Sequence, residues 1–288
     1  MALAAAAAAD TADWAACQGQ SGPASIDQLL DQCGDAAGCA APAPVDLDRI
    51  VAGCTAVIDA PGEPPLRRAL AAYQRGLTRL VRGDRSDAII DFSFALSVKP
   101  DLAEAYERRG AAYARAGERQ HAIADLSAAI ALKPGLARAW SERGQALFAA
   151  HQDDRAISDL TQALALRPDN VIDLNNRCVM RATVGRDLAG ALADCDRAVA
   201  LAPRSADVLN SRGFAHLRMK AYRAAAADYH AALALAQPSD AIKASSLYGR
   251  GLARLALGQT EAGRADIAAA IALAPAVGRP YAAAGLTP

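Results

Sequence analysis

Between Gln120 and Leu132 the apolar residues Ala122, Ile123, Leu126, Ala129, Ile130 and Leu132 recur at spacings of three and four. That spacing stacks them on one side of a helix, so the segment predicts an amphipathic helix with one buried face. Pro134 closes it, because proline has no N–H to continue the ladder. Upstream, residues 103–116 predict a partner helix that Gly117 breaks, as glycine does at helix C-termini.

The pattern then returns. Ala103–Leu136 and Ala137–Asn170 align without a gap over a period of 34 residues. Gly76, Gly110 and Gly144 keep that period, Cys178 takes the next slot, and Gly213 and Gly251 follow. Pro100, Pro134, Pro168, Pro203 and Pro275 close units in the same way, and Pro238 comes one residue late. Six units result: 69–102, 103–136, 137–170, 171–205, 206–243 and 244–277. The fourth carries one extra residue near Gly190 and the fifth four, around Ser239–Lys243. A fixed period in this range signals stacked supersecondary units, each too small to bury its own hydrophobic face. The small residues Gly110, Ala122 and Ala129, and their counterparts, mark where the two helices of a unit approach. A larger residue there would cost about 1–3 kcal/mol by overpacking.

Composition agrees with helices. Hydrophobic residues make up 53% of the chain and aromatics only 5%, and alanine, which dominates the former, loses no side-chain entropy in a helix. The 31 basic and 31 acidic residues cancel. A nucleic-acid binder draws most of its affinity from phosphate neutralisation, so this balance argues against nucleic acid as a partner. No stretch reaches the roughly 20 apolar residues that span a bilayer. Met1–Ala9 is almost all alanine; it reads either as a leader without meaning or as the end of a secretory signal, Asp10 then lying near the cleavage zone.

The 34-residue unit, the Tyr106 or Trp140 opening, the Arg-Gly pair, the small-residue slots and the closing proline together resemble the tetratricopeptide repeat family, over roughly residues 45–285. The x-R-G and A-I-x-D flavour resembles a bacterial subset of it. The resemblance implies an all-α fold, a right-handed superhelical solenoid of antiparallel helix pairs with a concave face used for protein–protein interaction. Residues 1–44 then form an Ala-rich leader and an irregular Cys-containing segment, 45–65 a capping helix (Arg49–Ile58) and linker, and 66–288 the solenoid, closed by a short turn at Tyr281–Gly285.

Each unit carries Arg before the Gly slot and Asp in its second helix: Arg75 and Asp91, Arg109 and Asp125, Arg143 and Asp159, Arg177 and Asp194, Arg212 and Asp228, Arg250 and Asp266. The two lie equidistant from the intervening turn, so they sit level in a hairpin. Each Asp is placed to accept from its own Arg, from the next unit's Arg, or from both. Recurrence in every unit points to a structural ladder rather than to a ligand or catalytic site.

Six cysteines suit an oxidising compartment, periplasmic or secreted, with the cytoplasm as the alternative. Cys178 and Cys195 occupy facing slots of one hairpin, as a bridge or as two buried thiols. The Trp14-x-x-Cys17 and Cys54-Thr55-x-Val57-Ile58 patterns are similar to secreted members of the repeat group. That resemblance implies a Cys17–Cys54 bridge and leaves Cys33 with Cys39.

No phosphate loop, H-E-x-x-H or G-x-S-x-G motif appears, and the cysteine spacings do not match structural zinc. An enzyme, a metal site and a cofactor are therefore not expected. The expected function is a protein- or peptide-binding scaffold, the alternatives being a self-assembling module or a regulatory subunit of an envelope complex. Candidate binding residues are the first-helix positions outside the core pattern: Tyr73, Glu107, Arg108, Ser141, Gln145, Asn175, Val179, Asn210, Phe214 and Tyr248. The Asn175 and Asn210 amides, one unit apart, suit the backbone of an extended peptide. The lysine that carboxylate-clamp members of the family use is absent from these slots.

Overall fold

The computed structural model describes residues 13–18, 46–235 and 239–288. The expected Cys33–Cys39 loop, the Met1–Ala9 leader and Pro238 lie outside them. Every regular element among the described residues is a helix. They fall into two compact units, Met1–Ala146 and Leu147–Pro288.

The first unit opens with a helical turn over residues 13–17 (α1). There follow α2 (Leu47–Asp59), α3 (Pro65–Arg82), α4 (Arg85–Val98), α5 (Ala103–Arg115), α6 (Arg119–Leu132) and α7 (Ala137–Ala149), in which the boundary between the units falls. The starts and stops follow from local chemistry. Asp46 caps α2 by accepting from Arg49 N at 2.9 Å. Pro65 sits in the first turn of α3, where no intrahelical N–H partner is missed. Gly83 and Gly117 turn the chain into the second helices at φ +86° and +81°, a region glycine enters without a Cβ penalty. The second helices α4 and α6 end at Lys99 and Lys133, both outside the helical region (φ −125° and −142°), because the ring of the following proline disfavours helical backbone before it. A disulfide joins Cys17 of α1 to Cys54 of α2, and the Arg67 guanidinium lies over the Trp14 ring at 5.0 Å. α2 packs on α3 and thereby covers the apolar face of the first helix pair.

The second unit continues with α8 (Asp153–Leu166), α9 (Val171–Val184), α10 (Leu188–Leu201), α11 (Ala206–Arg218), α12 (Tyr222–Ala234), α13 (Asp240–Ala256), α14 (Thr260–Leu273) and α15 (Gly278–Ala283). Consecutive helices from α8 to α14 pack together, the first helices of successive repeats, α9, α11 and α13, also lie side by side, and α15 packs on α13. The extra residue of the fourth repeat goes into the turn before α10, where Asp187 accepts from Gly190 N at 2.9 Å. The four extra residues of the fifth do not make a loop. They add a turn to the front of α13, which starts where Ser239 accepts from Ile242 N at 3.3 Å.

Leu126, Leu160 and Tyr229 occupy equivalent second-helix places and are fully buried. Leu126 and Tyr229 each face a small first-helix residue. A Cβ at Gly110 would meet Leu126 Cγ at 2.8 Å, and one at Gly213 would meet the Tyr229 ring at 3.0 Å. In the fourth repeat Cys178 and Cys195 hold the same two places and are joined as a disulfide. One contact zone is thus filled in two ways: by a glycine and a large side chain, or by a covalent bond.

Candidate functional site

The Arg–Asp ladder lies within the hairpins. Asp91 accepts from Arg75 Nη2 at 2.7 Å and Nε at 3.1–3.2 Å. Asp125 accepts from Arg109 Nε and Nη2 at 2.7 and 2.9 Å, Asp194 from Arg177 at 2.8 and 2.6 Å, Asp228 from Arg212 at 3.0 and 2.6 Å, and Asp266 from Arg250 at 2.8 and 2.8 Å. Arg143 and Asp159 are divided between the two units. These bonds raise the pKa of Arg109 and Arg212 above the ordinary arginine value, so the ladder carries fixed charge.

Sharing between repeats follows a different route from the one expected. The next arginine reaches the residue two places beyond the preceding Asp: Arg109 Nη1 donates to Ser93 Oγ at 2.9 Å, Arg143 to Ser127 at 3.0 Å, Arg177 to Thr161 at 3.2 Å and Arg212 to Asp196 at 3.2 Å. Two residues on a helix differ by about 200° in direction, so the Asp faces its own first helix while the residue two on faces the next. A further donor sits one turn after the arginine in four repeats. Arg79, Arg181, His216 and Arg254 each bond the same carboxylate, at 2.7–2.9 Å. The repeat spacing held the signal for both, since these residues recur at fixed offsets. The ladder joins helix to helix and has its acceptors occupied, which fits a structural part and not a ligand site.

The ten first-helix candidates divide. In the first unit Glu107, Arg108 and Ser141 are buried rather than open to solvent. Arg138 Nε lies 2.8 Å from the Glu107 carboxylate, so these residues belong to internal polar packing. Tyr73 is half-buried against Phe92, ring centroids 5.8 Å apart; Gln145 is exposed. In the second unit Phe214 and Tyr248 are also buried. Their cover is the ring of Tyr281 in α15, with centroids 5.6 and 5.0 Å away. Asn210 accepts from Ser246 Oγ at 3.0 Å. Val179 and Asn175 are half-buried on α9. The Asn175 Oδ1 is shielded from solvent and has no hydrogen-bond donor.

Sequence reasoning gave Tyr229 an interior place and Tyr281 a place in the closing turn, but not their meeting on this face. Tyr229 enters between two glycines: a Cβ at Gly249 would lie 2.2 Å from its Cζ. Its hydroxyl thereby emerges among the first helices, 3.5 Å from that of Tyr281. The Tyr281 hydroxyl donates to the Ser245 carbonyl at 2.8 Å and lies 3.0 Å from Ser245 Oγ. Burial pushes both phenols above their usual range, Tyr229 further than Tyr281. Gly249 was the available signal, because it stands where other repeats carry Arg108 or Glu142.

Residues 137–170 match the family model described as tetratricopeptide repeat. Among solved structures, a tetratricopeptide repeat protein from Parabacteroides merdae superposes with a TM-score of 0.62 at 18% identity, covering 83% of this chain and 93% of its own. The hetero-tetramer Cut9–Hcn1 of the APC/C matches with a TM-score of 0.63 at 18% identity over 90% of this chain and 51% of that one. YrrB, described as a TPR protein with an unusual peptide-binding site, matches with a TM-score of 0.52 at 17% identity over 64% and 92%. No curated protein matches the chain in sequence. At these identities the likeness establishes the fold.

Proposed function

We propose, from the premise that the chain is a tetratricopeptide-repeat protein, that it is a scaffold whose first helices bind an extended peptide or protein segment. The observation that carries this reading is the Asn175 carboxamide. A buried acceptor left without a donor costs about 1–3 kcal/mol, and Asn175, half-buried on α9, keeps such an acceptor. A backbone N–H from an extended segment would satisfy it while the amide N–H group donates to the segment's carbonyl. Asn210 is the weaker half of the expected pair, since Ser246 already donates to it. YrrB, a protein of similar fold with an unusual peptide-binding site, supports the same use of the fold.

Two disulfides, Cys17–Cys54 in the first unit and Cys178–Cys195 in the second, support an oxidising compartment as the place of work, periplasmic or extracellular. Among the described residues no helix is long and apolar enough to cross a membrane.

The test uses the full chain. A random peptide library panned on the wild-type protein is expected to yield binders that Asn175→Ala holds at least about tenfold more weakly. Because the substitution removes an unsatisfied acceptor, its melting temperature is expected to stay level or rise. Equal enrichment by both proteins would remove Asn175 from the site, and with it this reading.

A further inference from the structure

The sequence places the last few residues as a turn over the end of the array, but their contacts lie elsewhere. Tyr281 meets Phe214 of the fifth repeat, one hairpin back from the end, together with Tyr248 of the sixth. Phe214 and Tyr248 stand at two of the first-helix places expected to meet a ligand: Phe214 one residue after its repeat's Gly213, Tyr248 three before Gly251. Arg218 at the end of α11 donates to the carbonyl of Ala284 through Nη1 and to that of Ala182 through Nε at 2.8 Å. The segment therefore lies across the first helices rather than over the exposed end of α14.

Its anchorage is narrow. α15 has six residues and no side-chain cap at its N-terminus, and an isolated helix of that length does not hold itself together in water. What holds it is the Tyr281 ring in a fitted pocket, the Ala284 carbonyl on a guanidinium, and the small apolar contacts of Val277, Ala284 and Leu286 with the same core. The pocket has aromatic walls, Phe214 and Tyr248, and a polar floor, the Ser245 carbonyl and the Tyr229 hydroxyl. An apolar body with a hydroxyl at its tip is what fills such a site, and a buried aromatic anchor is the usual centre of a peptide interface. Gly278 adds close fit, since a Cβ there would come within 2.7 Å of the Tyr248 hydroxyl.

We propose that this pocket is a tyrosine-recognition subsite of the first-helix face, filled in cis by the chain's own C-terminal segment. A partner peptide carrying tyrosine among small residues, as in the Gly278–Leu286 stretch, must displace that segment to bind. The closed segment thus sets a threshold on partner affinity, because apparent affinity falls by the fraction of molecules in which the site is open. The inference rests on the reading of the first helices as the binding face. The Asn175 experiment reads a different position, on α9, so either can fail without the other.

The test measures fluorescence anisotropy of a labelled peptide with the sequence of residues 276–288, AVGRPYAAAGLTP, added to full-length protein. Tyr281→Ala is expected to bind it at least about tenfold more tightly than wild type does. A peptide with alanine in place of its tyrosine is expected to bind neither. Equal affinity for both proteins, absence of binding to Tyr281→Ala, or indifference to the peptide's tyrosine would each overturn the proposal. So would a concentration-dependent wild-type dimer that Tyr281→Ala abolishes, since the segment would then dock in trans. Hydrogen exchange on the wild type gives a reading that does not depend on the variant's folding. Amides of Ala284, Gly285 and Leu286 are expected to exchange on the order of 100-fold faster than those in the middle of α13, by local opening. Matched rates would make the segment a fixed part of the core and overturn its role as a displaceable occupant.

Discussion

Replacing Asp91 by alanine tests the ladder at its most enclosed rung. The Asp91 side chain is 1% exposed and takes bonds from two guanidinium groups, Arg75 and Arg79, the shortest from each being 2.7 Å. Removing the carboxylate leaves both cations facing a methyl group. Their side chains are 15% and 21% exposed, so water recovers part of their solvation but not all. Breaking a buried ion pair from one side costs about 3–5 kcal/mol; with two cations stranded and partial rehydration, a loss of about 4 kcal/mol is expected. At Asp125 the same change strands one guanidinium. Arg109 keeps its bond to Ser93 and lies over the rings of Tyr106 and Tyr113 at 5.6 and 5.9 Å, so about 2 kcal/mol is expected. Urea unfolding of the full chain, followed by circular dichroism at 222 nm, reads the difference as a shift in midpoint at constant slope. A loss below about 1 kcal/mol for Asp91→Ala, or a larger loss for Asp125→Ala than for Asp91→Ala, would refute the reasoning from donor number and burial.

Three further outcomes are expected. Gly249→Ala places a Cβ against the Tyr229 ring and is expected to lower stability by about 1–3 kcal/mol; adding Tyr229→Leu, the residue type of Leu126 and Leu160, is expected to recover most of that loss in a melting experiment. Reduction of the Cys178–Cys195 bridge, whose partners are 17 residues apart, is expected to cost about 3 kcal/mol. Cys178→Gly with Cys195→Leu installs the glycine–leucine pair of the second repeat, so its stability is expected to respond less to dithiothreitol by that amount. Tyr229 and Tyr281 have raised pKa values when buried. Their contribution to stability is therefore fully present below the unfolded tyrosine value of about 10 and is lost as pH rises through the folded values. An absorbance titration at 295 nm is expected to show late-ionising phenols, and Tyr281→Phe is expected to remove one of them.

Much of the architecture is local and periodic, and so was legible in the chain. Glycine at a helix end and proline after one act within a few residues, which is why Ala103–Arg115 and Arg119–Leu132 lie where residues 103–116 and 120–132 were expected. The pairing of Arg109 with Asp125 follows from equal distances to one turn, and Leu126, Leu160 and Tyr229 are interior because a fixed period gives them equivalent surroundings. Contacts that depend on the direction of a side chain between repeats were not legible. The turn of the second helix, not the spacing of charges, sends Arg109 to Ser93. Nor does a first-helix position reveal whether it stays open. Glu107, Arg108 and Ser141 are buried, and Phe214 and Tyr248 are covered by a segment that Arg218 grips from 66 residues away. The short-range chemistry of the chain determined which residues form helices and which faces close on each other. Only the tertiary structure decided which of the remaining surface is free to meet a partner, because that depends on residues brought together from distant parts of the chain.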